Sequence, residues 1–134
     1  MLIGLLEDDV AIQEMLLLVL KDEGYEVSVY PTAEACLGAL ITTEQLPSPI
    51  DLLIIDWRLQ GSASGTEVIR QIREQSRLSA LPIILTTAAT FSDTETLQNL
   101  HVSFLEKPFE VDQMVHLIHD LLQSRPHLDP DPAP

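Results

Sequence analysis

The chain is poor in basic side chains. Its 134 residues include 7 lysines and arginines against 21 aspartates and glutamates, which gives a formal net charge of -14. A surface this acidic repels the phosphates of nucleic acids and the headgroups of anionic lipids. We therefore expect no direct binding to nucleic acid or to a membrane.

Cysteine and long apolar runs are also scarce. The single cysteine, Cys36, cannot form an internal disulfide, and its neighbours Ala33, Ala35 and Leu37 predict a small buried side chain rather than a reactive thiol. No apolar stretch is long enough to cross a bilayer, and the N-terminus lacks a basic region followed by a small-residue cleavage site. These absences predict a cytoplasmic location.

The apolar residues that are present alternate between two periodicities. Short apolar runs predict strands at 2–6, 26–30, 52–55, 82–86 and 102–105, and helical spacing predicts helices at 12–20, 33–41, 66–75, 93–100 and 111–122. Five strands that are each followed by a helix predict an α/β fold, in which helices cover both faces of a parallel sheet. The length is that of one compact domain.

The C-terminal segment has a different composition. Three of the last five residues are proline, which has no backbone donor and a fixed φ. We predict one domain at 1–123 and an extended Pro-rich tail or truncated linker at 124–134.

Polar side chains follow four of the predicted strands, at the point where each strand ends. They are Glu7, Asp8 and Asp9 after the first strand, Asp56 after the third, Thr86 and Thr87 at the fourth, and Lys107 after the fifth. Ligands of open parallel sheets bind at this edge. Crowded carboxylates require a cation, and oxygen ligands without histidine or cysteine favour Mg²⁺ over Zn²⁺. The pattern predicts a Mg²⁺ site in which Asp56 accepts a phosphoryl group that Lys107 and a threonine stabilise.

Each of these residues also has a simpler interpretation. Acidic residues favour helix N-termini, so Asp9 is predicted to cap the first helix. Asp56 is individually consistent with a solvated acid at a strand end, with Lys107 as its ion-pair partner. A shared site is favoured because four different strands deliver such side chains to the same edge.

Four motifs resemble those of the receiver domain of bacterial two-component response regulators. They lie at 5–10, 53–58, 82–88 and 104–109, and the resemblance covers residues 1–123. It implies a flavodoxin-like (βα)5 fold similar to chemotaxis receivers, a doubly wound five-stranded sheet with strand order 2-1-3-4-5. It also implies Mg²⁺ as cofactor and a histidine kinase or histidine phosphotransfer protein as partner.

The resemblance implies a role for each matching acidic residue. Asp56 is the implied phosphoacceptor and a metal ligand, and Asp8 is a direct metal ligand. Glu7 is a supporting acid that acts through water, and the backbone carbonyl of Arg58 is the third protein ligand.

The same resemblance implies the residues that respond to phosphorylation. Lys107 would bind the phosphoryl group, Thr87 is the switch hydroxyl by its spacing from Pro82, and Phe104 occupies the aromatic switch position. Phosphorylation adds a charge of about -1.5 to -2. Thr87 would then move toward the phosphoryl group and Phe104 would fill the vacated space, which changes the surface of the last two helices and the fifth strand.

The sequence departs from the family pattern beside the acceptor and before the fifth strand. Leu59 and Gln60 replace the usual Met-Pro, and Gly65 lies nine residues past Asp56, which indicates a one-residue insertion and a remodelled loop. We expect Arg58 and Gln60 to modulate the lifetime of the phosphoryl group. The turn before the fifth strand also lacks the usual Gly-Ala pair.

Two other classes of protein remain open. A haloacid dehalogenase-type phosphatase shares the acceptor Asp, a Thr and a Lys, but has a second Asp where this chain has Arg58. A receiver-like interaction module that switches independently of phosphorylation is the other class, motivated by the altered loop and by Phe104.

The expected activity is that of a phosphoacceptor rather than an enzyme. It would assist only its own phosphorylation and dephosphorylation. The output is expected through a downstream partner, through a phosphorylation-dependent homodimer, or through an effector domain beyond residue 134.

Overall fold

The computed structural model of the protein describes residues 1–41, 50–56, 65–75, 78–87, 101–106 and 109–124. The described elements, in chain order, are β1 (Leu2–Leu6), α1 (Val10–Asp22), β2 (Glu26–Tyr30), α2 (Ala33–Leu40), β3 (Leu52–Asp56), α3 (Gly65–Arg73), β4 (Ile83–Thr87), β5 (Ser103–Glu106) and α4 (Val111–Ser124). The predicted helix at 93–100 and the tail beyond residue 124 lie outside the described residues.

The five strands form one parallel sheet in the order β2-β1-β3-β4-β5. This confirms the predicted fold class and strand order. All five residues of β3 and all five of β4 are buried. Strands covered on both faces have continuous apolar sequences because neither face meets water, which explains why these two runs were recognisable from sequence.

Two hydrophobic clusters cover the two faces of the sheet. The first, here called the α2/α3 face, joins Ile55 and Leu85 to the buried residues of α2 and α3. The second, the α1/α4 face, joins Ile54 and Ile84 to the buried residues of α1 and α4. Successive strand residues point to opposite faces, so the position of a residue along β3 or β4 determines which cluster it faces.

The helix that follows β1 begins at a side-chain cap. The Asp9 carboxylate accepts hydrogen bonds from the backbone N–H groups of Ala11 at 2.9 Å and Ile12 at 3.2 Å. This satisfies N–H groups that have no partner inside the helix and confirms the predicted cap. After α1, Gly24 adopts φ 92°, a left-handed conformation that glycine adopts without strain.

The small-residue interpretation of Cys36 is also confirmed. Its side chain is fully buried in α2 against the α2/α3 face. Within the described ranges, no helix combines the length and apolarity needed to cross a membrane.

Candidate functional site

The acids after β1 and the last residue of β3 meet at the carboxyl edge of the sheet. The register pairs Leu6 with Ile55, so Glu7 and Asp56 are the next residues along two adjacent strands. Glu7 is 3% exposed and Asp56 is 7% exposed. Two carboxylates are therefore buried side by side where the sheet ends.

Asp8 completes a group of three acids with Glu7 and Asp56. One carboxylate oxygen from each lies within 4.8 Å of the other two. Like charges at this separation repel strongly away from bulk water, and a divalent cation with oxygen ligands offsets that repulsion. Because every donor is a carboxylate oxygen, the site fits Mg²⁺ rather than a metal that prefers nitrogen or sulfur.

The third acid of the first motif has a different position. Asp9 caps α1, as described above, and lies outside the group of three. Its backbone N–H donates to Glu7 Oε2 at 3.2 Å, and the Gln13 side-chain amide donates to the Glu7 backbone carbonyl. The first turn of α1 therefore holds Glu7 in place.

The two threonines of β4 face opposite sides of the sheet. Thr86 pairs in register with Asp56 and alternates with Ile84 toward the α1/α4 face. Thr87 alternates with Leu85 toward the α2/α3 face. Both are buried, at 3% and 5% exposure.

The predicted end of the fourth strand was one residue short. The prediction ended it at Thr86, whereas β4 continues through Thr87 because Thr87 still pairs with Glu106 of β5. Thr87 therefore lies within the ladder, one step nearer the sheet edge than the residue paired with Asp56.

Phe104 and Thr87 lie on the same face. Phe104 pairs with Leu85 and packs, partly buried, against the α2/α3 cluster. The two predicted switch residues are thus diagonal neighbours across β4 and β5.

Three predicted site residues lie outside the described residues. They are Arg58, Gln60 and Lys107. The one-residue insertion in the 59–65 loop falls largely in the same undescribed region. The roles expected of these residues stay predictions.

Thr86, which pairs with Asp56, was not among the predicted site residues. Counting from Pro82 selected Thr87 and set Thr86 aside. Strand alternation together with register would have identified it, because a residue beside Asp56 in a parallel ladder shares its face. A single sequence does not contain the register between β3 and β4.

The family model for the response regulator receiver domain matches residues 3–119. The chain therefore belongs to the response regulator receiver domain family, the phosphoacceptor class of two-component signalling. Proteins of this class are phosphoacceptors rather than enzymes in the usual sense. The match favours this interpretation over the haloacid dehalogenase-type phosphatase.

Similar proteins and structures agree with this assignment. The chain is 31% identical over 124 residues to the phosphate regulon transcriptional regulatory protein PhoB of Rhizobium meliloti (strain 1021), an alignment covering 90% of this chain and 52% of that protein. A sensor protein from Polaromonas sp. JS666 superimposes with a TM-score of 0.78 at 25% identity, covering 93% of this chain and 98% of that chain. The chain spans about half the length of the first relative, which is described as a transcriptional regulatory protein.

One similar structure contains a metal ion. It is the receiver domain of the sensor histidine kinase PA1611 from Pseudomonas aeruginosa PAO1, described with a magnesium ion coordinated in the active site cleft. Its TM-score is 0.77 at 23% identity, covering 92% of this chain and 98% of that chain. This likeness supports the shared fold.

Proposed function

We propose that Asp56 accepts a phosphoryl group from a histidine kinase or histidine phosphotransfer protein in a Mg²⁺-dependent reaction. The observation that carries this proposal is the convergence of Glu7, Asp8 and Asp56, whose carboxylate oxygens lie within 4.8 Å of one another at the carboxyl edge of the sheet. The family match and the magnesium ion in the Pseudomonas aeruginosa receiver support it.

The transfer uses a carboxylate oxygen of Asp56 as the nucleophile. As the new P–O bond forms, the P–N bond of the donor phosphohistidine breaks, and its electron pair stays with the imidazole nitrogen. If the other ring nitrogen carries a proton, the imidazole leaves as a neutral group; otherwise it takes a proton from solvent. The product is an aspartyl phosphate. Phosphoryl transfer depends mainly on positioning and charge, so Asp56, which is buried at the sheet edge beside Glu7 and Asp8, suits this role.

The ligands of the cation would come from two parts of the chain, the residues after β1 and those at and just after the end of β3. Asp8 and Asp56 would bind Mg²⁺ directly, Glu7 would bind through water, and Arg58 would contribute its backbone carbonyl. A bound Mg²⁺ supplies the positive charge that lets these carboxylates and the phosphoryl oxygens approach one another. Lys107 would bind the phosphoryl oxygens from the β5 side.

The switch would run along the α2/α3 face. Thr87 would turn toward the phosphoryl group, and Phe104 would move into the space beside it. Since Phe104 has no hydroxyl, its two positions differ in packing alone. The surface of β5 and α4, with the predicted helix at 93–100, would change as the population shifts between two packings.

The remaining expectations belong to this proposal as well. Arg58 and Gln60 would modulate how fast the aspartyl phosphate hydrolyses, a reaction that the domain itself assists. The output would pass through a downstream protein, a phosphorylation-dependent homodimer or an effector domain in a cytoplasmic setting, and the domain would end at residue 123.

Intact-mass spectrometry after incubation with Mg²⁺ and a small acyl phosphate tests the proposal. We expect the wild type to gain one phosphoryl group only when Mg²⁺ is present, and Asp56→Asn to gain none. Asp51→Asn is the matched control, since Asp51 lies just before β3 at its other end and accepts a hydrogen bond from the Leu2 N–H at 2.8 Å, which Asn can also accept. We expect this control to be phosphorylated normally.

Two outcomes would contradict the proposal. One is an equal mass gain in the wild type and in Asp56→Asn. The other is no gain in any of the proteins, combined with partner binding that ignores both Mg²⁺ and Asp56→Asn. That combination would favour the interaction module that switches independently of phosphorylation.

A further inference from the structure

Thr86 has an unusual hydroxyl. Its side chain is 3% exposed, and among the residues that the structure describes, its Oγ1 is the buried side-chain polar atom with no hydrogen-bond partner. Burial of a hydroxyl without a partner destabilises a fold, so native proteins rarely keep one without a reason.

The shape of the residue does not provide that reason. Valine has nearly the same volume and the same branching at Cβ, favours strands equally well and has no hydroxyl. Two neighbours of Thr86 on its face of the sheet, Ile84 in β4 and Leu105 in β5, are apolar. The hydroxyl, rather than the size of the side chain, therefore requires an explanation.

Asp56 is the polar group beside this hydroxyl. The register pairs the two residues across β3 and β4, and adjacent strands are about 4.8 Å apart. Strand alternation places both on the α1/α4 face, whereas Thr87 faces the opposite side. Rotation about χ1 moves Oγ1 between staggered positions, and at this separation one of them can bring it to a carboxylate oxygen of Asp56.

The direction of such a hydrogen bond follows from the two groups. An ionised carboxylate has only acceptors, with about four lone-pair sites, whereas a threonine hydroxyl can donate. Asp56 can therefore accept from Thr86 while its other lone pairs serve a cation or a phosphoryl donor.

We propose that Thr86 is a positioning residue for Asp56. Its Oγ1 donates a hydrogen bond to the Asp56 carboxylate when that carboxylate ligates Mg²⁺, and this bond fixes the orientation of the two carboxylate oxygens. The inference rests on the proposed function of Asp56. It assigns the two threonines of β4 separate tasks, with Thr86 orienting the acceptor and Thr87 responding to the phosphoryl group.

A Mg²⁺ titration without any phosphodonor tests this role. The single tryptophan, Trp57, follows Asp56 directly in sequence and provides a fluorescence signal. Loss of one hydrogen bond to a charged group predicts that Thr86→Val weakens Mg²⁺ binding roughly tenfold. Thr86→Ser keeps the hydroxyl and should bind within about threefold of the wild type.

A matched control separates this effect from the general loss of a buried hydroxyl. Thr66 is also buried, at 9% exposure, but lies in α3. We expect Thr66→Val to bind Mg²⁺ like the wild type.

Stability without metal provides a second measurement. In a chelator, Thr86→Val should be at least as resistant to urea as the wild type, because the substitution removes an unpartnered buried hydroxyl. A purely structural role predicts instead that stability and Mg²⁺ affinity fall together.

The outcomes distinguish this inference from the proposed function. If the wild type binds Mg²⁺ and is phosphorylated while Thr86→Val binds Mg²⁺ equally well, the role of Thr86 is overturned and that of Asp56 stands. A parallel loss of stability and affinity in Thr86→Val would also overturn it. If the wild type neither binds Mg²⁺ nor gains a phosphoryl group, both the proposed function and this inference are overturned.

Discussion

Arg73 and His101 are joined by a hydrogen bond at the turn residue that precedes β5. Arg73 Nη2 donates to the His101 carbonyl oxygen at 3.0 Å, and Nη1 donates to the Leu78 carbonyl oxygen at 2.9 Å. His101 has φ 58°, in the left-handed region. This turn is the one that lacks the Gly-Ala pair of the family, so the last residue of α3 supports a conformation that glycine would adopt without strain.

The first prediction concerns this strain. His101→Gly should raise the free energy of unfolding by up to about 1 kcal/mol, because the relief of left-handed strain exceeds the added entropy of the unfolded chain. The hydrogen bond from Arg73 reaches the backbone and should survive. His116→Gly, at an exposed position in α4, is the control, and its free energy of unfolding should fall by about 1 kcal/mol. Urea denaturation would contradict the prediction if both variants lost stability equally.

The second prediction separates Asp8 from Asp9. Asp9→Ala removes the cap of α1 and should lower the free energy of unfolding by about 1 kcal/mol while leaving Mg²⁺ affinity within about twofold of the wild type. Asp9→Asn should retain the cap, since asparagine is an equally good capping residue. Asp8→Ala should weaken Mg²⁺ binding instead.

Urea denaturation and a Mg²⁺ titration of the same three variants check this separation. Loss of Mg²⁺ binding in Asp9→Asn, with an intact cap, would show that Asp9 belongs to the metal site after all.

The third prediction concerns the buried thiol. Burial raises the pKa of the Cys36 thiol to about 12, from its ordinary value of 9.0. Because the thiolate is the reactive form, a thiol-specific reagent should label the native protein only as fast as it unfolds. In denaturant the labelling should be rapid. Rapid labelling of the native protein near neutral pH would contradict the buried position.

The raised pKa of Cys36 also has a consequence for stability. Below about pH 9 the thiol is protonated in both the folded and the unfolded chain, and its contribution to stability is fully present. As pH rises from about 9 toward 12, the unfolded chain releases the proton while the folded chain retains it, so stability falls. The stability advantage of the wild type over Cys36→Ala should therefore shrink across this range, as measured by denaturation at several pH values.

The sequence predicted the elements better than the contacts between them. The bounds of β1 and β2 and the cap at Asp9 agree with the structure because apolar runs and capping residues are local signals. The left-handed conformation of His101 was not predicted, since neither its φ angle nor the hydrogen bond from the distant Arg73 can be inferred from the residues around it.

For the candidate site, the sequence predicted the group of acids but not the different positions of the two threonines. Glu7, Asp8 and Asp56 were expected together because parallel strands end at a common edge. The distinction between Thr86 and Thr87 depends on register and face, which arise only when β3 and β4 pair. Spacing within the family motif identified Thr87 but contained no information about the hydroxyl beside Asp56.

Chemical trapping of the aspartyl phosphate tests the central claim most directly. Borohydride reduces an acyl phosphate to the alcohol, so an aspartate that carried the phosphoryl group becomes homoserine and can be located by peptide mass spectrometry. After incubation with Mg²⁺ and a small acyl phosphate, we predict homoserine at position 56 and unmodified aspartate at positions 8 and 51. Homoserine at either of those two positions with none at position 56, or none in a sample whose intact mass shows a phosphoryl group, would contradict the assignment of Asp56 as the phosphoacceptor.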